Sequence, residues 1–363
     1  MRAGEVVRAF DEQTDTVWIV DPFLFNVQGR KIRLDWEHTE YKWVDPNELI
    51  SYATVPKLKE TFERVRWDLQ ASPASLSKVL SDVSAVNQDR IHGAGFLGRR
   101  AVEVMKDTAQ SSTAFSVDEL FHDLLLVSLR LWKTQPGMAT IRNLTGRMLH
   151  KADQSRPQAR SLEDFRTQII RLAEDILANA KAAVEDASRN AVAIIPEKGQ
   201  VLTHSYSATI KRALELAVNS GRRLRVWVTE SSPGFEGKQL AKDLINDSVP
   251  VRLIADSAAV SVVPDMDAVL VGADSVLSDG SLVHKVGTKQ IADAANSANV
   301  PFYVACEAMK FSTSHFLGEP IEVSEIFDVT SQSQVSNFIT ENGVIETSEV
   351  GKIIKDLLRE VYT

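Results

Sequence analysis

Val201-Leu202-Thr203-His204-Ser205-Tyr206-Ser207-Ala208-Thr209-Ile210 is the stretch that decides the fold. An apolar pair ends in a polar cluster, and the cluster opens a helical pattern. Ile210, Leu214 and Ala217 share one face of that helix, and Gly221 follows as a stop signal. Working outward, residues 191–195, 223–228, 249–254, 268–271 and 302–305 are apolar, β-branched runs. Such runs suit parallel strands buried on both faces. Helical patterns at 208–218, 237–245 and 287–296 lie between them. The alternation predicts right-handed crossovers and a doubly wound parallel α/β domain over residues 189–363.

Ligands of such sheets sit beyond the carboxyl ends of the strands, so the polar residues there are the candidate site. Thr203, His204, Ser205 and Ser207 open a helix, whose free N–H groups and positive dipole end can hold phosphate; the same residues can also serve only as caps. Glu230 follows the next strand and can accept from two sugar hydroxyls, or be a plain loop carboxylate. Asp274 leaves a buried strand where a catalytic acid or base would stand, or where a turn needs an aspartate. Lys285 precedes a helix start and can pair with Asp274 or with a phosphate. The one cysteine, Cys306, reads as a small buried hydrophobe. There is no G-x-G-x-x-G and no Walker sequence, which leaves dinucleotide and P-loop readings without their motif.

Upstream, residues 73–188 read as helical. Ser72-Pro73 is an N-cap with Pro at the first helical position. Ser116-Val117-Asp118-Glu119 and Ser161-Leu162-Glu163-Asp164 resemble capping boxes, the second opening a stripe of Phe165, Ile169, Leu172 and Ile176. Residues 1–68 read as β-rich, with strands at 16–20, 24–27 and 41–44, a turn at Gln28-Gly29, a helix start at Asp45-Pro46 and a second helix from Val55-Pro56 to Phe62. The chain has 363 residues, a net charge of −8, 44% hydrophobic and 25% charged residues. These values fit a two- or three-domain globular protein and argue against a broad nucleic-acid surface. No run is apolar enough for a membrane helix, no secretory signal is recognisable, and the reading is cytoplasmic. No zinc spacing occurs, and neither a metal nor a cofactor is assigned.

Leu202-Thr203-His204-Ser205-Tyr206-Ser207, Val228-Thr229-Glu230-Ser231-Ser232-Pro233, Val271-Gly272-Ala273-Asp274-Ser275, Lys285-Val286-Gly287-Thr288, Pro301-Phe302-Tyr303-Val304-Ala305 and Lys310-Phe311 occur in that order. Together they resemble the initiation factor 2B alpha/beta/delta family, which includes ribose-1,5-bisphosphate isomerase and 5-methylthioribose-1-phosphate isomerase. The resemblance implies a helical domain on a Rossmann-like domain, and a homodimer or larger homo-oligomer. It also implies that Asp274 and Lys285 match isomerase site residues. Ser205 stands at the isomerases' cysteine. His92-Gly93-Ala94 stands at their Arg-Gly-Ala, and Gln135-Pro136 at their Arg-Pro. Neutral Gln lacks the charged fork with which Arg holds phosphate, and a serine hydroxyl is a poor substitute for a thiolate.

The three departures favour a non-catalytic, initiation-factor-2B-like protein whose cleft binds a phosphorylated sugar or nucleotide, with an initiation factor 2 subunit as a possible partner. The alternative is an aldose–ketose isomerase using Asp274 with His92 or His204. The expected ligand contacts are His92, Gly93, Ala94, Thr203, His204, Ser205, Ser207, Glu230, Asp274 and Lys285. Residues 1–68 also resemble half of a Nudix domain through Phe23-Leu24-Phe25, Glu37 to Val44 and Asp45-Pro46-Asn47-Glu48-Leu49, without the glutamate-rich box that hydrolysis needs.

Overall fold

The computed structural model of the chain describes residues 2–3, 6–12, 14–24, 34, 36, 39–52, 58, 60–62, 77–321 and 323–361. Its N-terminal segment contains two strand pairs. Strand β1 (Arg2–Ala3) pairs with β4 (Phe23–Leu24), and β2 (Val7–Asp11) pairs with β3 (Thr16–Val20), both antiparallel. The expected strand at 16–20 is β3. Of the one expected at 24–27, Leu24 is in β4 and the rest lies outside the described residues, as do Gln28-Gly29, Val55-Pro56 and Ser72-Pro73. Residues 41–44 form no strand in the structure, and Tyr41 and Trp43 are half exposed. A 3-10 turn, Pro46–Ser51, follows Asp45 as the Asp-Pro pair requires. The β2–β3 hairpin docks on the chain's own C-terminus. Phe10 meets Phe316 edge to face at 5.7 Å, and Asp15 pairs with Lys355 at 2.6 Å.

Five helices follow: α1 (Ser77–Gln88), α2 (Ala94–Ser111), α3 (Val117–Leu131), α4 (Ala139–Ser155) and α5 (Leu162–Val192). Ser116 Oγ accepts from the Glu119 N–H and Ser161 Oγ from the Asp164 N–H, both at 3.1 Å. The returning carboxylates reach one residue further than a capping box does, to the N–H groups of Phe115 and Arg160. Helix α5 is 31 residues long, about 46 Å at 1.5 Å per residue. It overruns the strand expected at 191–195: Ala191 and Val192 end the helix, and Ile194 and Ile195 continue in turns. A short apolar run after an alanine-rich helix prolongs the helix, because periodicity alone does not separate the two.

The rest of the chain is a Rossmann-like sheet. Its elements are β5 (Lys198–Thr203), α6 (Ala208–Asn219), β6 (Arg223–Thr229), α7 (Glu236–Asn246), β7 (Val251–Ile254), β8 (Ala268–Val271), β9 (Ser275–Val276), β10 (Leu282–Lys285), α8 (Thr288–Ala298), β11 (Phe302–Ala305), β12 (Phe327–Thr330), β13 (Asn337–Thr340), β14 (Gly343–Ile345) and α9 (Val350–Val361). Seven strands lie in the order β14-β13-β11-β8-β5-β6-β7, parallel except for β14, and β12-β10-β9 form a small antiparallel sheet. The large sheet is buried on both faces: Leu202, Val269 and Val271 join the core shared with α1–α5, whereas Val201 and Leu270 join a second core with α6 and α7. The chain turns back on itself between β5 and β8, so the order reverses at their carboxyl ends. That is where such sheets open a crevice.

A hydrogen-bonded seam fixes the helical layer over that crevice. Ser275 Oγ accepts from the Ala139 N–H and donates to the Gly137 carbonyl, both at 2.8 Å. Thr140 Oγ1 donates to the Ala94 carbonyl at 2.9 Å. Fully buried Asn143 donates to the carbonyls of Met309 and Phe311 and accepts from Thr313 Oγ1. Replacing Asn143 by Leu keeps the volume but strands these partners. It is expected to cost about 3 kcal/mol, read as a lower midpoint in urea.

Candidate functional site

The polar residues after β5 are positioned by a network that starts at Asp256. Its carboxylate accepts from the N–H groups of Ser231 and Ser232 at 2.8 and 2.7 Å. Ser231 Oγ then accepts from the Ser205 N–H at 2.8 Å. Ser205 adopts a left-handed backbone, φ 66°, a conformation that costs about 1–3 kcal/mol unless its surroundings hold it. Ser207 caps α6 by accepting from the Ile210 N–H at 3.3 Å. Gly272, at the end of β8, lies directly under Ser207: a Cβ there would stand 2.7 Å from the Ser207 Cβ. A glycine is therefore required for β8 and the β5–α6 loop to meet at the crevice.

The crevice is a cavity of about 1000 Å³ between the N-terminal end of α2 and the strand ends. Of the expected ligand contacts, His92, Gly93, Ala94, Ser205, Ser207, Asp274 and Lys285 line it. Thr203, His204 and Glu230 do not. His204 is buried, with Nδ1 accepting from Thr229 Oγ1 at 2.6 Å and Nε2 donating to the Val286 carbonyl at 3.0 Å, so both ring nitrogens are committed. Glu230 pairs with Lys238 at 3.1 Å. Thr203 is buried inside the strand end. His92 lies at the rim, paired with Asp89 at 2.7 Å and stacked on Phe96. Gln135 also lines the cavity, but its amide donates to the carbonyls of Val86, Asn87 and Asp89, closing the end of α1.

Asp274 is buried at the centre. Its carboxylate accepts from the Ala94 N–H at the start of α2. Burial lifts the carboxyl above the ordinary aspartate range, against the opposing pull of Lys310 and Lys285. Lys285 does not pair with Asp274; it is buried and meets the partly buried Glu236 at 2.7 Å. Lys310 meets Glu307 at 3.2 Å, and Glu307 also accepts from Thr209 Oγ1 at 2.6 Å. Burial opposes this second pair, yet Lys310 and Thr209 hold the Glu307 carboxyl below its usual range and Glu307 holds the Lys310 amine above its own. The lining brings Arg90, Arg99, Lys238, Lys242, Lys285 and Lys310 against Asp89, Asp274, Glu236 and Glu307. The cleft is net positive on a chain of charge −8, which suits an anionic ligand.

Lys310, Glu307, Glu236, Arg99 and His284 were absent from the expected contacts. Lys310 lies in the Lys310-Phe311 string, and His284 directly precedes the string that begins at Lys285. Glu236, Glu307 and Arg99 sit on elements whose facing is set by packing and not by motif. Cys306 is fully buried and burial pushes its thiol far up, as a core residue. Among the described residues, no group of three His, Cys, Asp or Glu is arranged to hold a metal, and no helix is long and apolar enough to cross a membrane.

The family model described as the initiation factor 2 subunit family matches residues 90–325. The ribose 1,5-bisphosphate isomerase of Thermococcus kodakarensis is 28% identical over 313 residues, covering 80% of this chain and 96% of that one. In fold, the chain is similar to the crystal structure of the tetrameric eIF2B-beta2-delta2 complex from C. thermophilum, with a TM-score of 0.68 at 21% identity over 78% of this chain and 95% of that one. It is likewise similar to 5-methylthioribose 1-phosphate isomerase from Pyrococcus horikoshii, with a TM-score of 0.59 at 22% identity over 77% and 87%.

Breaking the Lys310–Glu307 pair leaves one buried charge alone. Lys310→Met is expected to destabilise the protein by about 3–5 kcal/mol. The sign with pH follows from the depressed Glu307 carboxyl: its contribution is present above the ordinary glutamate range and is lost as pH falls through the lowered value. Urea midpoints measured from neutral pH downward are expected to fall less steeply in Glu307→Gln than in the unaltered protein.

Proposed function

The chain belongs to the initiation factor 2 subunit family, and on that premise we propose that its cleft binds a phosphorylated aldose and isomerises it to the ketose. The observation that carries this reading is Asp274, a carboxyl that burial lifts above the ordinary aspartate range, in a net positive cavity, at the point where the strand order reverses. For a furanose phosphorylated at C1, isomerisation opens the ring between C1 and its oxygen. The ring oxygen takes a proton, the C2 hydrogen moves to C1 with its electron pair, and the C2 hydroxyl gives up its proton to become the carbonyl. A protonated carboxyl supplies the first of these protons. The positive end of α2 and the cavity-lining Arg99 and Lys310 supply positive charge for phosphate.

Two of the three departures that favoured a non-catalytic reading weigh less once the contacts are known. Gln135 closes a helix end, and the cavity keeps a cationic excess without an arginine at that position or at His92. The third departure remains: Ser205 lines the cavity where the isomerases carry cysteine. It supports a second reading, a binding cleft without turnover. Relatives named as ribose 1,5-bisphosphate isomerases support the catalytic one. Assembly into homodimers or larger homo-oligomers belongs to the same proposal, since a protein of similar fold stands in a tetrameric complex.

Purified protein incubated with ribose 1,5-bisphosphate and, separately, with 5-methylthioribose 1-phosphate is expected to form the ketose from one of them. Asp274→Asn is expected to lower kcat by roughly a hundredfold or more. A rise in melting temperature with the sugar phosphate and no ketose would overturn the catalytic reading in favour of binding alone.

A further inference from the structure

His284 is buried at the end of β10 and lines the cavity. Its Nδ1 lies 3.0 Å from Thr288 Oγ1, and that hydroxyl lies 2.6 Å from the Lys285 carbonyl oxygen. Two oxygens that close need a hydrogen between them, and the carbonyl has none, so the Thr288 hydroxyl donates to it. The threonine oxygen can then only accept from the imidazole. His284 therefore carries its hydrogen on Nδ1, and Nε2 holds a lone pair with no protein partner among the described residues. The missing Cβ of Gly272 would stand 3.6 Å from Nε2 and 2.8 Å from Ser207 Oγ. The nitrogen thus looks across a bare glycine toward the place where β5 and β8 diverge. The Asp274 N–H donates to the Val283 carbonyl at 3.0 Å, so the loop that carries Asp274 is bonded to the strand that carries His284.

We infer that His284 Nε2 is the proton acceptor of the cleft, taking the C2 hydroxyl proton of the sugar while Asp274 gives one to the ring oxygen. This rests on the isomerase reading for its reaction. The other candidates are committed: His204 uses both ring nitrogens, His92 is tied to Asp89 at the rim, and Glu236 and Glu307 each hold a lysine. The groups around His284 are His204 from the β5–α6 loop, Lys285 on its own strand and Lys310 beyond β11; burial first, then these three, keep the imidazole neutral. The protons balance: the ring oxygen gains one from Asp274, the C2 hydroxyl loses one to His284, and return of that proton to the Asp274 carboxylate restores the starting state.

His284→Asn retains a donor for Thr288 and removes Nε2. Calorimetric titration of the full chain with ribose 1-phosphate and with 2-deoxyribose 1-phosphate reads the contact without turnover. The unaltered protein is expected to bind the ribo form roughly tenfold tighter, the worth of one hydrogen bond, and His284→Asn to bind the two alike. With ribose 1,5-bisphosphate, kcat is expected to fall roughly a hundredfold in the variant. Unchanged discrimination in His284→Asn overturns the inference. A loss of discrimination with no ketose formed by either protein supports the contact and sinks the isomerase reading alone. Long-range ¹H–¹⁵N spectra of histidine-labelled unaltered protein give an answer that needs no variant: hydrogen on Nδ1 supports the inference, hydrogen on Nε2 overturns it.

Discussion

The burial of one carboxyl group governs this structure. Asp274 leaves β8 at the reversal of strand order and is covered by the start of α2. Taking a carboxylate out of water is costly, so the group stays protonated unless cations compensate it. Lys310 and Lys285 do so in part, each being also matched by a glutamate, Glu307 and Glu236. The lysines thus stand in the cleft as ion pairs, and burial remains the larger effect on the acid. That balance depends on the helical layer staying shut on the strand ends, which is the work of Asn143, Ser275 and Thr140.

Much of this was legible in the sequence where a local rule acts alone. Continuous apolar runs marked β6, β8 and β11 because both faces of the sheet are covered. Ser116 and Ser161 marked helix starts because an N-cap needs only its own next turn. The run at 191–195 misled because five apolar residues satisfy a buried strand and the end of a buried helix equally.

Site residues divide along the same line. Ser205, Ser207, Asp274 and Lys285 were legible because strand ends converge on the crevice in any doubly wound sheet. His204 sits one step from Ser205 and Glu230 directly follows the neighbouring strand, yet their side chains turn to Thr229 and Lys238. Gln135 stands where the resemblance expects a phosphate-holding arginine, and its amide closes a helix end. Each of these depends on side-chain contacts made in the folded chain, which spacing does not encode. His284 was hidden for a related reason: its tautomer follows from a threonine four residues on, visible only when the hydroxyl's other partner is known.

Titration of the Asp274 carboxyl carbon in ¹³C-aspartate-labelled protein, assigned by comparison with Asp274→Asn, tests the centre of this account most directly. A midpoint above the ordinary aspartate value, with the carboxyl still protonated where exposed aspartates have ionised, is the expected result. A midpoint at or below that value would mean that Asp274 is an ordinary carboxylate paired with the cleft lysines, and the acid assigned to it would have to be sought elsewhere.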